Sequence, residues 1–82
     1  MVEIFQPADE ESTFVDNEIP SGTIDGTNTD FTIANIPVSG SLKVYRGGSR
    51  QKLTEDYTLS GFTITFIIAP QDGEIILVDY RY

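Results

Sequence analysis

Leu42-Lys43-Val44-Tyr45-Arg46-Gly47-Gly48-Ser49-Arg50-Gln51-Lys52-Leu53 is the stretch whose reading decides the fold. Its first half alternates, with Leu42 and Val44 on one side and Lys43 and Tyr45 on the other, the period of a strand with one buried face. Gly47-Gly48 then supplies two adjacent positions that accept positive φ, which a tight hairpin turn requires. Ser49 to Leu53 returns beside the first strand. The same pattern recurs outward. Tyr57-Thr58-Leu59 and Thr63-Ile64-Thr65-Phe66-Ile67 flank a second tight turn at Ser60-Gly61. Upstream, Asp30 to Ala34 places Phe31 and Ile33 on one face. The following Ile36 to Gly40 is a turn, because Pro37 cannot donate to a central ladder. Downstream, Ala69 to Gly73 is a longer turn. Glu74 to Tyr82 then puts Ile76, Val78 and Tyr80 on one face and Ile75, Leu77 and Asp79 on the other. A strand apolar on both faces is either central in its sheet or turns its second side to another chain.

These segments predict six or seven short strands with turns every 8–12 residues or so, and no apolar run with a helical period. The composition agrees. Thr, Ile, Val, Phe and Tyr recur, and Ala and Met are scarce. With 82 residues the chain is one domain, and such a domain buries only about 60–65% of the surface its unfolded chain exposes. Cys and His are both absent. That removes disulfides, thiolate chemistry, zinc–thiolate sites, the commonest general base and the commonest metal ligand. Trp is absent too, which weakens sugar stacking. No apolar run approaches the ~20 residues of a membrane-spanning helix. Met1-Val2-Glu3-Ile4-Phe5 has neither a basic nor a long apolar region, so no signal peptide is expected.

The formal net charge of −8 is unevenly placed. Residues 1–30 hold eight acids and no base, whereas residues 31–82 hold five of each. Such a chain is repelled by nucleic acid and by anionic membranes, and its natural electrostatic partner is a basic protein surface. Residues 1–20 are the least regular part. Val2 to Phe5 and Thr13 to Asp16 have the makings of short strands, Pro7 to Ser12 reads as an acidic loop, and Pro20-Ser21-Gly22 breaks the chain. The segment 1–20 is accordingly read as an acidic N-terminal arm, with 21–82 as the folded domain. An ordinary first strand packed on its own domain is the competing reading of the arm.

From Ile19 onward the chain resembles a module met in structural proteins of tailed bacteriophages. The residues that carry the resemblance are Ile19-Pro20-Ser21-Gly22-Thr23-Ile24-Asp25-Gly26-Thr27-Asn28-Thr29-Asp30-Phe31-Thr32, Ile36-Pro37, Ser41-Leu42-Lys43-Val44-Tyr45-Arg46-Gly47-Gly48 and Gln51-Lys52. They continue with Asp56-Tyr57-Thr58-Leu59-Ser60-Gly61, Thr63-Ile64-Thr65-Phe66, Ala69-Pro70, Asp72-Gly73 and Ile76-Leu77-Val78-Asp79-Tyr80-Arg81-Tyr82. The pattern is similar to the small β-sandwich modules of tail fibres, tail adaptors, head fibres and capsid-associated proteins. The resemblance implies an antiparallel, immunoglobulin-like β-sandwich and association with a virion assembled in the host cytoplasm. It does not distinguish head from tail.

Chemistry-bearing constellations are few. Asp25, Asn28 and Asp30 place three oxygen-bearing side chains in one loop, the kind of ligand calcium takes, but the spacing is not that of an EF-hand and no bidentate Glu follows. A β-turn held by Asx hydrogen bonds explains the same residues. Adjacent carboxylates such as Glu10-Glu11 or Glu55-Asp56 do not face each other across a cleft as glycoside hydrolysis needs. The chain has neither a nucleophile elbow nor a phosphate-cradling glycine loop. No enzyme activity, cofactor or metal is therefore expected.

The reading that remains is an accessory virion component that binds other proteins, in several copies on a symmetric assembly or as a homo-oligomer. Neither nucleic acid nor membrane is an expected partner. Phe5, Phe14, Ile75, Leu77 and Tyr82 are the expected apolar anchors. Arg46, Arg50 and Lys52, beside the Gly47-Gly48 hairpin, are the expected cationic contacts for an acidic arm or patch. The same charges also suit a hairpin edge guarded against aggregation. The alternative is a receptor- or carbohydrate-binding module of a fibre, with Tyr45, Phe62 and Tyr82 as its aromatic candidates. A third reading is a domain that caps or trimerises a longer partner.

Overall fold

The computed structural model describes residues 13–82 and is all-β, with no helix among the described residues. Seven strands run in chain order: β1 (Phe14–Glu18), β2 (Asp30–Thr32), β3 (Lys43–Arg46), β4 (Ser49–Arg50), β5 (Tyr57–Ser60), β6 (Thr63–Phe66) and β7 (Ile76–Arg81). They make two antiparallel sheets, a four-stranded one in the order β1-β7-β3-β4 and a three-stranded one in the order β2-β6-β5.

Both expected hairpins form. Tyr45 and Arg46 pair with Arg50 and Ser49 across Gly47-Gly48, whose φ values of 54° and 86° suit only a turn that glycine builds at no steric cost. Ser60 pairs with Thr63 across Gly61-Phe62. The alternation read for the last strand is also present. Ile76, Val78 and Tyr80 are buried, and the residues between them point away from the core. β7 lies between β1 and β3, so its two apolar faces belong to a central strand.

The N-terminal boundary differs from the sequence reading. Residues 14–18, assigned there to an arm, are an edge strand of the four-stranded sheet. Thr13 and Tyr82 exchange two backbone hydrogen bonds, Phe14 stands opposite Arg81, and Val15 packs against the core. The physical reason is β7, a central strand whose second backbone edge needs a partner, and Phe14–Glu18 supplies it. The segment 1–12, including Phe5 and the possible strand Val2 to Phe5, lies outside the described residues.

The sheets face each other over one core. Phe31, Tyr57, Ile64 and Phe66 come from the three-stranded sheet, and Val44, Ile76, Val78 and Tyr80 from the four-stranded one, with Ile33 joining them. Each fully buried large apolar side chain contributes about 1.5–3 kcal/mol relative to exposure. Phe31 and Phe66 meet edge to face, their ring centroids 5.7 Å apart. Gly22 lets the backbone lie against this pair. A Cβ built there would stand 2.4 Å from Cδ2 of Phe31.

Between β1 and β7 the register shifts, so that Asp16 and Asn17 oppose Asp79 alone. Asn17 adopts φ 59°, a left-handed conformation that Asn tolerates better than most residues. Its N–H donates to Oδ1 of Asp79 at 2.8 Å, so a side chain fills the gap the bulge opens in the ladder. A bulge on an edge strand also discourages pairing with a foreign strand.

Candidate functional site

Strand register determines what each sheet presents to its surroundings. On the outer face of the four-stranded sheet, Phe14 stands opposite Arg81, Lys43 opposite Asp79, and Tyr45 between Leu77 and Arg50. Ile75, just before β7, continues that face. Phe14 and Ile75 are 73% and 63% exposed. Asn17, Tyr45, Gly48, Ile75, Leu77 and Asp79 line a shallow hollow of about 280 Å³. Beside it, Phe14, Asp16, Lys43 and Arg81 border a second hollow of about 320 Å³. The two share Asp79.

The outer face of the three-stranded sheet is of another kind. Thr32, Thr63 and Ser60 form one cross-strand row, and Asp30, Thr65 and Thr58 the next. Oγ1 of Thr65 donates to Oδ1 of Asp30 at 2.9 Å. Within its strands this face presents hydroxyls and one carboxylate, while Phe62 in the hairpin and Ile67 just past β6 are exposed at its two ends. Among residues within the strands, the outward apolar and cationic side chains stand on the four-stranded sheet.

The expected contact residues among those described separate into four groups. Phe14, Ile75 and Leu77 share the outer face just described. Tyr82 lies past the end of β7, 43% exposed, with its ring 6.2 Å from that of Tyr80. Arg50 and Lys52 stand at the opposite edge, where Arg50, Gln51, Lys52, Leu53 and Tyr57 line a hollow of about 440 Å³. Arg46 is committed inside the fold. Nη1 donates to the carbonyl of Ile68 at 2.8 Å and Nη2 to Oε1 of Glu74 at 2.8 Å, and the guanidinium lies 5.1 Å from the centre of the Phe66 ring. Arg46–Glu74 is the one ion pair among the described residues. The same Glu74 oxygen accepts the N–H of Gln71, and this bond, followed by the one from Arg46, holds the carboxyl below its usual range. Strand parity carried the signal: Arg46 alternates with Val44 onto the core side.

A second polar site was not read from the sequence. The buried Tyr80 hydroxyl donates to Oε1 of Glu18 at 2.6 Å and accepts from Nδ2 of Asn35 at 3.3 Å. Oε2 of Glu18 accepts the N–H of Ala34 at 2.8 Å. Burial, and then the hydrogen bond to Glu18, raise the Tyr80 hydroxyl above its ordinary pKa. This network ties the turn after β2 to β1 and β7 across the two sheets. The available signal was a tyrosine at a core-facing position, since a buried hydroxyl needs a partner.

The loop of Asp25, Asn28 and Asp30 uses its side-chain oxygens and amide in hydrogen bonds within the loop and to Thr65. Oδ1 of Asp25 accepts the N–H groups of Thr27 and Asn28 at 2.9 Å each, which lowers its pKa. Nδ2 of Asn28 donates to the carbonyls of Thr23 and Asp30. These are Asx-type turn bonds.

Compared with protein-family models, with curated proteins and with solved structures, the chain matches none. Its outer surface on the four-stranded sheet is shallow and mixes apolar with charged side chains.

Proposed function

We propose that this chain is a non-enzymatic structural component of a tailed-phage virion, an accessory protein that attaches to capsid, neck or tail through protein–protein contacts. The body is read as a β-sandwich of immunoglobulin-like architecture with an acidic N-terminal segment, made in the host cytoplasm and present in several copies. The observation that carries the reading is the sorting of the two outer faces. Phe14, Tyr45, Ile75 and Leu77 share one sheet face with Lys43, Arg50 and Arg81, while the strands of the other sheet turn Thr, Ser and Asp outward, with Phe62 and Ile67 only at their ends. Exposed apolar side chains rimmed by charge mark contact surfaces more often than plain solvated ones. The likeness to phage virion modules supports the choice of partner, and neither cofactor nor nucleic acid nor membrane enters this reading.

Co-sedimentation of the purified protein with particles of the phage that encodes it tests the proposal. Leu77→Glu places a charge in the hollow, and Thr58→Lys makes a comparable change on the hydroxyl face. The expected result is that wild type and Thr58→Lys pellet with particles while a folded Leu77→Glu stays in the supernatant. Equal binding by Leu77→Glu refutes the assignment of the face. A carbohydrate-binding role has one foothold, Tyr45 in the wall of the same hollow. Glycan-array binding that Tyr45→Ala abolishes selects that alternative.

A further inference from the structure

We propose that the hollow where the last strands of the two sheets meet binds one carboxylate, carried by an Asp or Glu of a partner polypeptide beside an apolar residue. β4 and β5 each stand last in their sheets among the described residues, and Arg50, Gln51, Lys52, Leu53 and Tyr57 line the hollow of about 440 Å³ there. The contrast between two buried tyrosines carries the argument. Tyr57 is 3% exposed, with its ring 6.4 Å from that of Phe66, yet its hydroxyl has no hydrogen-bond partner among the described residues. Tyr80, also 3% exposed, has two, Glu18 and Asn35. A buried hydroxyl without a partner costs stability, and phenylalanine would fill the same core position without that cost. The hydroxyl of Tyr57 therefore serves whatever fills the hollow.

The other donors set the charge of that ligand. Arg50 and Lys52 enter no ion pair among the described residues. Burial raises the Tyr57 hydroxyl above its ordinary pKa and the Arg50 charge opposes the rise, which places the two groups near each other. Gln51 uses its Nε2 on the carbonyl of Ser49. Two cations and one phenol hydroxyl are all donors, the complement of a carboxylate. Glu55 and Asp56 follow closely in the chain, and Oδ2 of Asp56 accepts the N–H of Lys52 at 2.8 Å. These acids oppose a doubly charged phosphate more than a singly charged carboxylate. Leu53, 56% exposed, gives the hollow an apolar wall, so an apolar neighbour of the carboxylate has a place there. The net charge of −8 repels acidic runs, so the rest of the partner segment is neutral or basic. The hollow lies at the edge opposite β1, and its assignment does not depend on the reading of the outer face.

Titration of the isotope-labelled full chain with acetyl-leucyl-glutamyl amide, followed by backbone amide NMR signals, tests the site. The expected result is saturable shifts at Arg50, Lys52, Leu53 and Tyr57, with none at Phe14 or Leu77. The glutaminyl counterpart of the peptide produces none. Tyr57→Phe keeps the wild-type urea midpoint, since its hydroxyl has no partner in the fold to lose, and binds the peptide about three- to tenfold more weakly, as does Arg50→Gln. An absence of saturable shifts, equal shifts from the glutaminyl peptide, or full affinity in Tyr57→Phe overturns the inference. A lowered midpoint for Tyr57→Phe overturns it too, because the hydroxyl then has a structural partner. Inorganic phosphate that binds these residues more tightly than the peptide overturns the carboxylate assignment. Shifts of the same signals on concentrating the protein alone overturn the choice of partner, because a second copy is then the occupant. Each of these failures leaves the particle co-sedimentation test of the outer face unchanged.

Discussion

Gly22→Ala is the substitution whose outcome the packing specifies most sharply. On its own, replacing glycine by alanine stabilises by about 0.4–1 kcal/mol, because the unfolded chain loses freedom. Two local facts oppose that gain. The new Cβ meets Cδ2 of Phe31 at 2.4 Å and Cε2 at 2.8 Å, and Gly22 has φ +151°, where side-chain-bearing residues are rare. The ring cannot yield cheaply, since Phe31 is 1% exposed and set edge-on against Phe66. The backbone is held as well, by the two hydrogen bonds between the adjacent Ser21 and Thr32 at 2.7 and 2.9 Å. Overpacking costs about 1–3 kcal/mol and a disfavoured backbone region about 1–3 kcal/mol. The net loss is therefore about 1–5 kcal/mol, each kcal/mol lowering Tm by about 4–8 °C for a domain this small. Urea titration followed by far-UV circular dichroism measures it, and the midpoint falls while the slope stays constant. Phe31→Leu in the Gly22→Ala background frees the space at the Cβ, so the two losses are less than additive, by about 1 kcal/mol. A wild-type midpoint for Gly22→Ala, or strict additivity in the double variant, refutes the argument.

Further outcomes follow from the polar contacts. Tyr80→Phe removes the hydroxyl shared by Glu18 and Asn35 and lowers stability by about 1–3 kcal/mol in the same titration, with the fold retained. At the bulge, Asn17→Gly keeps the wild-type midpoint, whereas Asn17→Val loses about 1–2 kcal/mol because a β-branched residue is forced into the left-handed region. Glu74 and Asp25 both titrate below their ordinary values of 4.5 and 3.8. A depressed carboxyl contributes its full stabilisation above the ordinary value and loses it as pH falls through the folded-state value. The Tm difference between wild type and Glu74→Gln is thus constant near neutrality and shrinks on acidification. Thermal scans from pH 7 to about pH 2 show this, and a constant gap throughout contradicts it.

Local structure was the legible part of the chain. Thr63-Ile64-Thr65-Phe66 alternates as strand β6 does, and both hairpins fall where Gly47-Gly48 and Gly61 place them. The parity of Ile76, Val78 and Tyr80 gave the core face of β7 and, by subtraction, put Ile75 and Leu77 outside. What sequence alone could not supply is pairing between distant segments. Nothing local in Phe14–Glu18 says that it completes a sheet with Ile76–Arg81, and the sequence leaves it between an acidic arm and an ordinary first strand. Arg46 shows the same limit. Its charge suggested a surface role, while its parity with Val44 and the distant Glu74 decide its place. In the sequence Glu18 is one acid among the eight of residues 1–30, and only the folded chain brings it to a tyrosine 62 positions away.

The position of β7 has a temporal consequence. It is the last of the described strands yet separates β1 from β3, so the four-stranded sheet has no continuous ladder until it inserts. The β5–β6 hairpin closes a turn of two residues and forms early, on the scale of microseconds. Joining Phe14–Glu18 to Ile76–Arg81 closes a loop spanning most of the domain, and that entropic barrier sets a late, slow step. Until it is crossed, β1 and β3 both lack the strand that joins them, the interval in which a neighbouring copy is best placed to insert its own β7 instead.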